Sequence, residues 1–89
     1  RIEINAFRNL KNLQTLNLNN NRLRYLNPGC FKDLENLKVL ELNENNIEHL
    51  PNLTFVYLKN LKKLHIQNNN LIHIDFLTFN KLSKLEYLI

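Results

Sequence analysis

The sequence predicts a solenoid, which is a stack of similar chain turns that share one continuous core. Two observations support this fold class: the chain repeats itself every 24 residues, and apolar residues return to the same columns in each repeat. Two of these apolar positions lie two residues apart, which is the period of a strand with one buried face. The turns are therefore expected to place their strands side by side in a parallel sheet.

The repeat register holds along the whole chain of 89 residues. Three complete repeats and two partial ones share this register, and they span residues 13–36, 37–60 and 61–84, with partial repeats at 1–12 and 85–89. We interpret residues 1–89 as a single repeat domain. A solenoid requires polar terminal caps over its open core, and no cap is recognisable here, so we expect a portion of a longer domain.

The apolar columns define the expected core. The two strand columns are Leu16, Leu40, Leu64 and Leu88, followed by Leu18, Leu42 and Ile66. The later columns are Leu23, Ile47 and Leu71, then Leu26, Leu50 and Ile74, and finally Leu10, Leu34, Leu58 and Leu82. These columns approach the middle of each turn from several sides. Stacked turns would therefore bury one core that no single turn could bury alone.

One aromatic column is expected to form a spine. It contains Phe7, Phe31, Phe55 and Phe79. Because neighbouring parallel strands lie about 4.8 Å apart, the four rings are expected to stack on one another in successive turns.

One asparagine column follows the strand, where the chain turns into the core. It contains Asn21, Asn45 and Asn69. Backbone groups that leave the strand there would be buried without partners, at about 1–3 kcal/mol each. An Asn amide can both donate and accept, so this column is expected to form a structural ladder. Replacing Asn45 by Ala should then be costly, whereas replacing Asn43 should not.

These columns together resemble the leucine-rich repeat family, with its pattern LxxLxLxxNxLxxL, in the 24-residue class that carries a Phe in the second half. The resemblance covers the whole chain. It implies an α/β solenoid that is curved, with a parallel sheet on the concave side and irregular or short helical segments on the convex side. Cysteine-rich caps, usual in extracellular members of the family, are missing from the sequence.

The same resemblance implies where the protein works and what it does. This class looks like the ectodomains of Toll-like receptors, Slit-type guidance proteins and insect immune proteins. We therefore expect an extracellular or cell-surface recognition module of a receptor or secreted protein, with a protein ligand or co-receptor as its partner. No membrane contact is expected from this segment.

The expected partner-binding surface consists of the outward side chains on and after the strands. These columns change from repeat to repeat while the Leu columns stay constant, as in a scaffold with an adjustable face. The predicted residues are Thr15, Asn17, Asn19, Asn20, Val39, Glu41, Asn43, Glu44, Lys63, His65, Gln67, Asn68 and Tyr87. Tyr87 is the best anchor, because interface hot spots favour Tyr, Trp and Arg. A second patch, expected to be partly buried, contains Val56, Tyr57, Phe76 and Leu77.

Two other functions remain open at this point. The first is nucleic-acid sensing through the basic residues Arg8, Lys11, Lys32, Lys59, Lys62, Lys81 and Lys84. It is less favoured, because Asp33 and Glu35 interrupt these bases and the net charge is only +4. The second is a structural or dimerisation role.

Catalysis is not expected from this sequence. It contains no GxGxxG, GxSxG or HExxH motif and only one Gly, so no catalytic residue, metal site or cofactor is predicted.

Cys30 has no second cysteine to pair with and is interpreted as a buried apolar residue. His49 and His73 share a column and either form a solvated edge or share a metal or a pH response.

One modification site is predicted. The triplet Asn52-Leu53-Thr54 is an N-x-[ST] sequon in the convex half of its repeat. If the protein is secreted, a glycan on Asn52 would project there without blocking the sheet.

Overall fold

The structure is a computed structural model that describes residues 2–75 and 77–89. Its strands are β1 (Thr15–Asn17), β2 (Val39–Glu41), β3 (His49–Leu50), β4 (Lys63–His65), β5 (His73–Ile74) and β6 (Tyr87–Leu88). A four-stranded sheet has the order β1-β2-β4-β6, and a two-stranded sheet pairs β3 with β5. Each pairing in both sheets is parallel. The predicted solenoid with its parallel sheet is confirmed.

The strand register follows the 24-residue repeat. Thr15 pairs with Val39, Val39 with Lys63, and Lys63 with Tyr87. Equivalent positions of successive repeats therefore lie directly beside one another. One Leu column faces inward from this sheet, and both Leu40 and Leu64 are fully buried.

The return segments consist of hydrogen-bonded turns. In the first complete repeat the amide of residue i+3 bonds the carbonyl of residue i at successive steps, for example Cys30 to Asn27 at 3.0 Å and Leu34 to Phe31 at 3.1 Å. The sequence left two forms open for these segments, irregular or short helical. The described residues form turns and contain no helix.

Burial falls off towards both ends of the stack. In the middle turns Leu26, Leu50 and Leu58 are at most 1% exposed. By contrast, Leu10 is 45% and Leu88 48% exposed, although both belong to predicted core columns. A side chain in a solenoid is covered by the turns on either side of it, and Leu10 and Leu88 have a described neighbouring turn on one side.

The phenylalanine spine sets the curvature. Phe7, Phe31, Phe55 and Phe79 stack with ring centroids 6.1, 6.3 and 6.0 Å apart and ring planes inclined by 13–15°. This spacing exceeds the roughly 4.8 Å between neighbouring strands. The turns therefore fan out on the Phe side, which leaves the four-stranded sheet on the concave side.

Candidate partner-binding surface

Asn45 joins two turns at the end of strand β2. Its Oδ1 accepts the backbone N–H groups of Asn21 at 2.9 Å and Leu23 at 3.0 Å, both in the preceding turn. Its Nδ2 donates to the carbonyl oxygens of Leu18 at 3.0 Å, Leu42 at 3.0 Å and Asn43 at 3.2 Å. The side chain is only 3% exposed. A single amide thus satisfies backbone groups that burial would otherwise leave without partners.

The other two members of this column make fewer bonds. Asn69 accepts from the Ile47 backbone N–H at 3.1 Å and donates to Leu42 O at 2.9 Å. Asn21 is exposed, and its amide donates only to Asn19 O at 3.1 Å. The predicted ladder role therefore holds least for Asn21, since the structure describes no strand within residues 2–12 whose end it could bond.

A second asparagine ladder runs beside the first. The Oδ1 of Asn19 accepts the Asn43 backbone N–H at 2.7 Å, and the Oδ1 of Asn43 accepts the Gln67 backbone N–H at 2.7 Å. Sequence reasoning assigned Asn19 and Asn43 to partner contacts, with little effect of Asn43 on stability. The structure adds a backbone role that this reasoning missed, because both side chains bond the adjacent turn. Their contact with a partner stays a prediction.

The next predicted binding column has a backbone function of its own. Asn20, Glu44 and Asn68 have φ angles of 60°, 59° and 58°, in the left-handed region. Asn reaches this region more readily than most residues, because its short polar side chain bonds the local backbone. The left-handed backbone of the turn therefore explains why Asn stands at positions 20 and 68. Glu44 adopts the same strained backbone geometry, although Glu does not favour it. All three side chains remain exposed.

The remaining strand positions present an open polar face. Thr15, Asn17, Lys63 and Tyr87 are exposed, and Val39, Glu41 and His65 are half-buried. The Lys63 ammonium lies 5.4 Å from the centroid of the Tyr87 ring, within cation–π range. Across the sheet, Glu41 accepts a bond from the Asn19 amide at 3.3 Å. The face therefore has a basic aromatic end and an acidic amide-rich end.

A third column of Asn side chains also bonds the backbone of the preceding turn, just before the strands, and sequence reasoning missed it. Asn36 donates to Lys11 O at 2.7 Å, and Asn60 donates to Glu35 O at 2.7 Å. In the next turn Lys84 takes this position and donates to Asn60 Oδ1 at 2.8 Å. The recurrence of Asn at 24-residue spacing was the available signal.

The two-stranded sheet β3–β5 was also not predicted. It pairs His49 with His73 and Leu50 with Ile74 along the lateral edge. Just before it, the Arg24 guanidinium lies 3.3 Å from the Glu48 carboxylate of the next turn. Both histidines are exposed.

The column of Cys30, Thr54 and Thr78 is buried beneath the return segment. Desolvation raises the pKa of the Cys30 thiol from 9.0 to about 12, which keeps it protonated and unreactive. The Thr78 hydroxyl donates to Leu50 O at 2.7 Å, whereas Thr54 Oγ1 has no partner among the described residues. Within the predicted sequon, Asn52 is exposed although Thr54 is buried.

The other predicted patches lie on the outer surface. The seven basic residues proposed for nucleic acid are all exposed. Of the second patch, Val56 is half-buried, and Tyr57 and Leu77 are 38% and 45% exposed, so these side chains are partly buried, as expected. Phe76 lies outside the described residues. Within residues 2–75 and 77–89, no three His, Cys, Asp or Glu side chains are grouped to hold a metal ion.

The family assignment rests on this repeated turn and its ladders. A family model described as leucine rich repeat matches residues 1–47 and, again, residues 35–89, so the two matches span the chain. The chain belongs to the leucine-rich repeat family. The resemblance predicted from the columns is thereby confirmed. Leucine-rich repeat domains are in general non-enzymatic interaction modules.

Two solved structures are similar to this leucine-rich repeat chain over nearly its full length. The crystal structure of a TLR13–ssRNA13 complex superposes with a TM-score of 0.91 at 33% identity, covering 96% of this chain and 12% of that one. The leucine-rich repeat domain of APL1B gives 0.92 at 33% identity, covering 98% of this chain and 26% of that one. This chain thus spans a small part of each.

No match is found among curated protein sequences. In the part of the chain that the structure describes, no helix has the length and apolar character needed to cross a membrane.

Proposed function

We propose that this leucine-rich repeat chain is a non-catalytic recognition module that binds a protein partner through the concave face of strands β1, β2, β4 and β6. Its repeats are residues 13–36, 37–60 and 61–84, with partial repeats at 1–12 and 85–89. The proposed module belongs to a secreted or cell-surface protein.

The observation that carries this proposal is the in-register row Thr15, Val39, Lys63 and Tyr87. Four chemically different side chains lie side by side on one open sheet, while the Leu residues that follow them in sequence are constant. A surface that varies on a constant scaffold can be fitted to one partner without disturbing the core.

The asparagine ladders restrict the proposed contact set. Asn19 and Asn43 have their Oδ1 atoms occupied by backbone N–H groups. The side chains free to give most of the affinity are therefore those on the strands, above all Tyr87 and Lys63. An exposed Tyr next to a cation supplies a large amphipathic contact area, as hot spots do.

Site-specific photocrosslinking tests the assignment of this face. A photoreactive phenylalanine analogue placed at Tyr87 or His65 should crosslink a protein partner on cells or in the secreted medium. The same analogue at Lys32 or Val56, on the return side, is the matched control. Crosslinking only from the return side would refute the concave-face assignment.

We also propose that Asn52 carries an N-linked glycan, which requires secretion. The exposed position of Asn52 on the return side supports this, because a glycan there leaves the concave sheet uncovered. Protein secreted from eukaryotic cells should lose mass on treatment with an N-glycosidase, and the Asn52→Gln variant should not. An unmodified Asn52 in the secreted protein would contradict the proposal.

Binding of single-stranded RNA is the second candidate function. The specific observation that favours it is the similarity to the crystal structure of a TLR13–ssRNA13 complex. The seven exposed basic residues named above would supply the contacts, and Asp33 and Glu35 between them oppose the proposal, because carboxylates repel phosphates. A labelled single-stranded RNA should then bind measurably at physiological salt, with an affinity that falls steeply as salt rises. Absence of binding at low salt would exclude it.

A further inference from the structure

The lateral sheet β3–β5 places two imidazoles beside each other. His49 and His73 are direct partners in a parallel pairing. Directly paired residues of parallel strands lie about 4.8 Å apart and point to the same side of the sheet. Both side chains are exposed, so solvent and ions reach them.

Neither imidazole has another task among the described residues. No side-chain hydrogen bond or ion pair engages His49 or His73. Arg24 directly precedes Tyr25, which occupies the same column one turn earlier, and its guanidinium lies 3.3 Å from the carboxylate of Glu48, the residue before His49. The cation at this position of the preceding turn therefore has a carboxylate partner.

We propose that His49 and His73 form a two-imidazole chelate for a borderline divalent cation of the Zn²⁺ type. Imidazole nitrogens bind Zn²⁺ at about 2.0–2.1 Å, so two ligands of one tetrahedral ion are roughly 3.4 Å apart. Rotation of two neighbouring side chains about their χ angles bridges the difference between this separation and the strand spacing. The remaining coordination positions are open to water or to a donor from a partner.

This site is chemically distinct from the concave surface. Its two ligands lie on the lateral edge, whereas Tyr87 and Lys63 lie on the four-stranded sheet. With two protein ligands, the site binds metal reversibly rather than as a closed structural centre, which needs four. The inference is independent of the proposed partner-binding function.

The third histidine, His65, is the control for a site that needs two imidazoles, because it lies on β4 beside Glu41 and not beside another histidine. Titration with ZnCl₂, followed through the imidazole signals in ¹H–¹³C spectra, should shift the signals of His49 and His73 together and saturate at one ion per chain. The His65 signal should remain unchanged over that range. A His65 signal that moves with the same midpoint would overturn the proposal.

Single substitutions separate a chelate from independent histidines. His49→Tyr and His73→Tyr should each lower the Zn²⁺ affinity at least about tenfold, because a lone imidazole remains. Tyr suits this test, because Tyr25 occupies the same column one turn earlier and the fold accepts it. His65→Tyr should leave the affinity unchanged. Wild-type affinity in either of the first two variants would refute the shared site.

Discussion

Asn45 and Asn21 occupy the same column in consecutive turns, yet the structure uses them differently. Asn45 is 3% exposed and its amide makes five hydrogen bonds, two as acceptor and three as donor. Asn21 is exposed and its amide donates once. The difference arises because Asn45 bonds backbone groups of the preceding turn, at Leu18, Asn21 and Leu23. In a solenoid, the contribution of a residue to the free energy of unfolding depends on the neighbouring turn as much as on its own turn.

The largest expected effect tests this contrast in the phenylalanine spine. Phe55 stacks on rings to both sides and is 1% exposed, whereas Phe7 stacks on Phe31 alone and is half-buried. Phe55→Ala should lower the free energy of unfolding by about 4 kcal/mol and Phe7→Ala by about half of that. Denaturant titration measures both. Equal losses would show that the end turn is as tightly packed as the middle.

The asparagine column itself gives the next largest contrast. Asn45→Ala removes the partners of buried backbone groups and should cost about 3 kcal/mol. Asn21→Ala removes one exposed bond and should cost less than about 0.5 kcal/mol. Urea unfolding midpoints of the two variants measure the difference. Similar midpoints would mean that water replaces the Asn45 amide.

A smaller effect is expected in the second ladder. Asn43→Ala removes the acceptor of the Gln67 backbone N–H, which lies near solvent, and should cost about 1 kcal/mol. Gln67→Ala is the matched control, since its exposed side chain makes none of the ladder bonds, and it should change stability by less than about 0.5 kcal/mol. Thermal unfolding followed by circular dichroism distinguishes these values. No loss in Asn43→Ala would restore its assignment to the binding face alone.

The smallest effect concerns the pH dependence contributed by Cys30. Its pKa rises from 9.0 to about 12 on folding, so above pH 9 the unfolded chain loses a proton that the folded chain keeps. Stability therefore falls as pH rises, and the contribution is about 0.8 kcal/mol at pH 9.5. Unfolding of the wild type and of Cys30→Ala at pH 7.5 and 9.5 isolates this part. An identical pH dependence in both would contradict a buried, protonated thiol.

Much of the fold was predictable because the repeat carries it. Strand columns such as Leu16, Leu40 and Leu64 identify both the turn length and the inward face, since alternation fixes which side chains point to the core. The sheet register then follows from the 24-residue period without further information. The phenylalanine spine was predictable for the same reason.

The binding face was less predictable, because several asparagines have two possible roles. In sequence, Asn19 and Asn43 look like free outward residues on a variable face. Only the distances of 2.7 Å from their Oδ1 atoms to the donor backbone nitrogens of the next turn show that they bond the backbone. Amide side chains bond equally well to a partner or to the chain itself, so composition does not separate these uses.

The sequence by itself determined the period, the parallel sheet, the core columns and the family, because all of these depend on residue types at fixed spacing. The tertiary structure decided which members of a column make the most contacts and that Asn45 is buried while Asn21 is not. It also decided that His49 and His73, already placed in one column by the sequence, are paired in a second sheet. The spacing within the repeat determines which residue type stands at each position of a turn. Only the packing of one turn against the next determines which hydrogen bonds each residue makes.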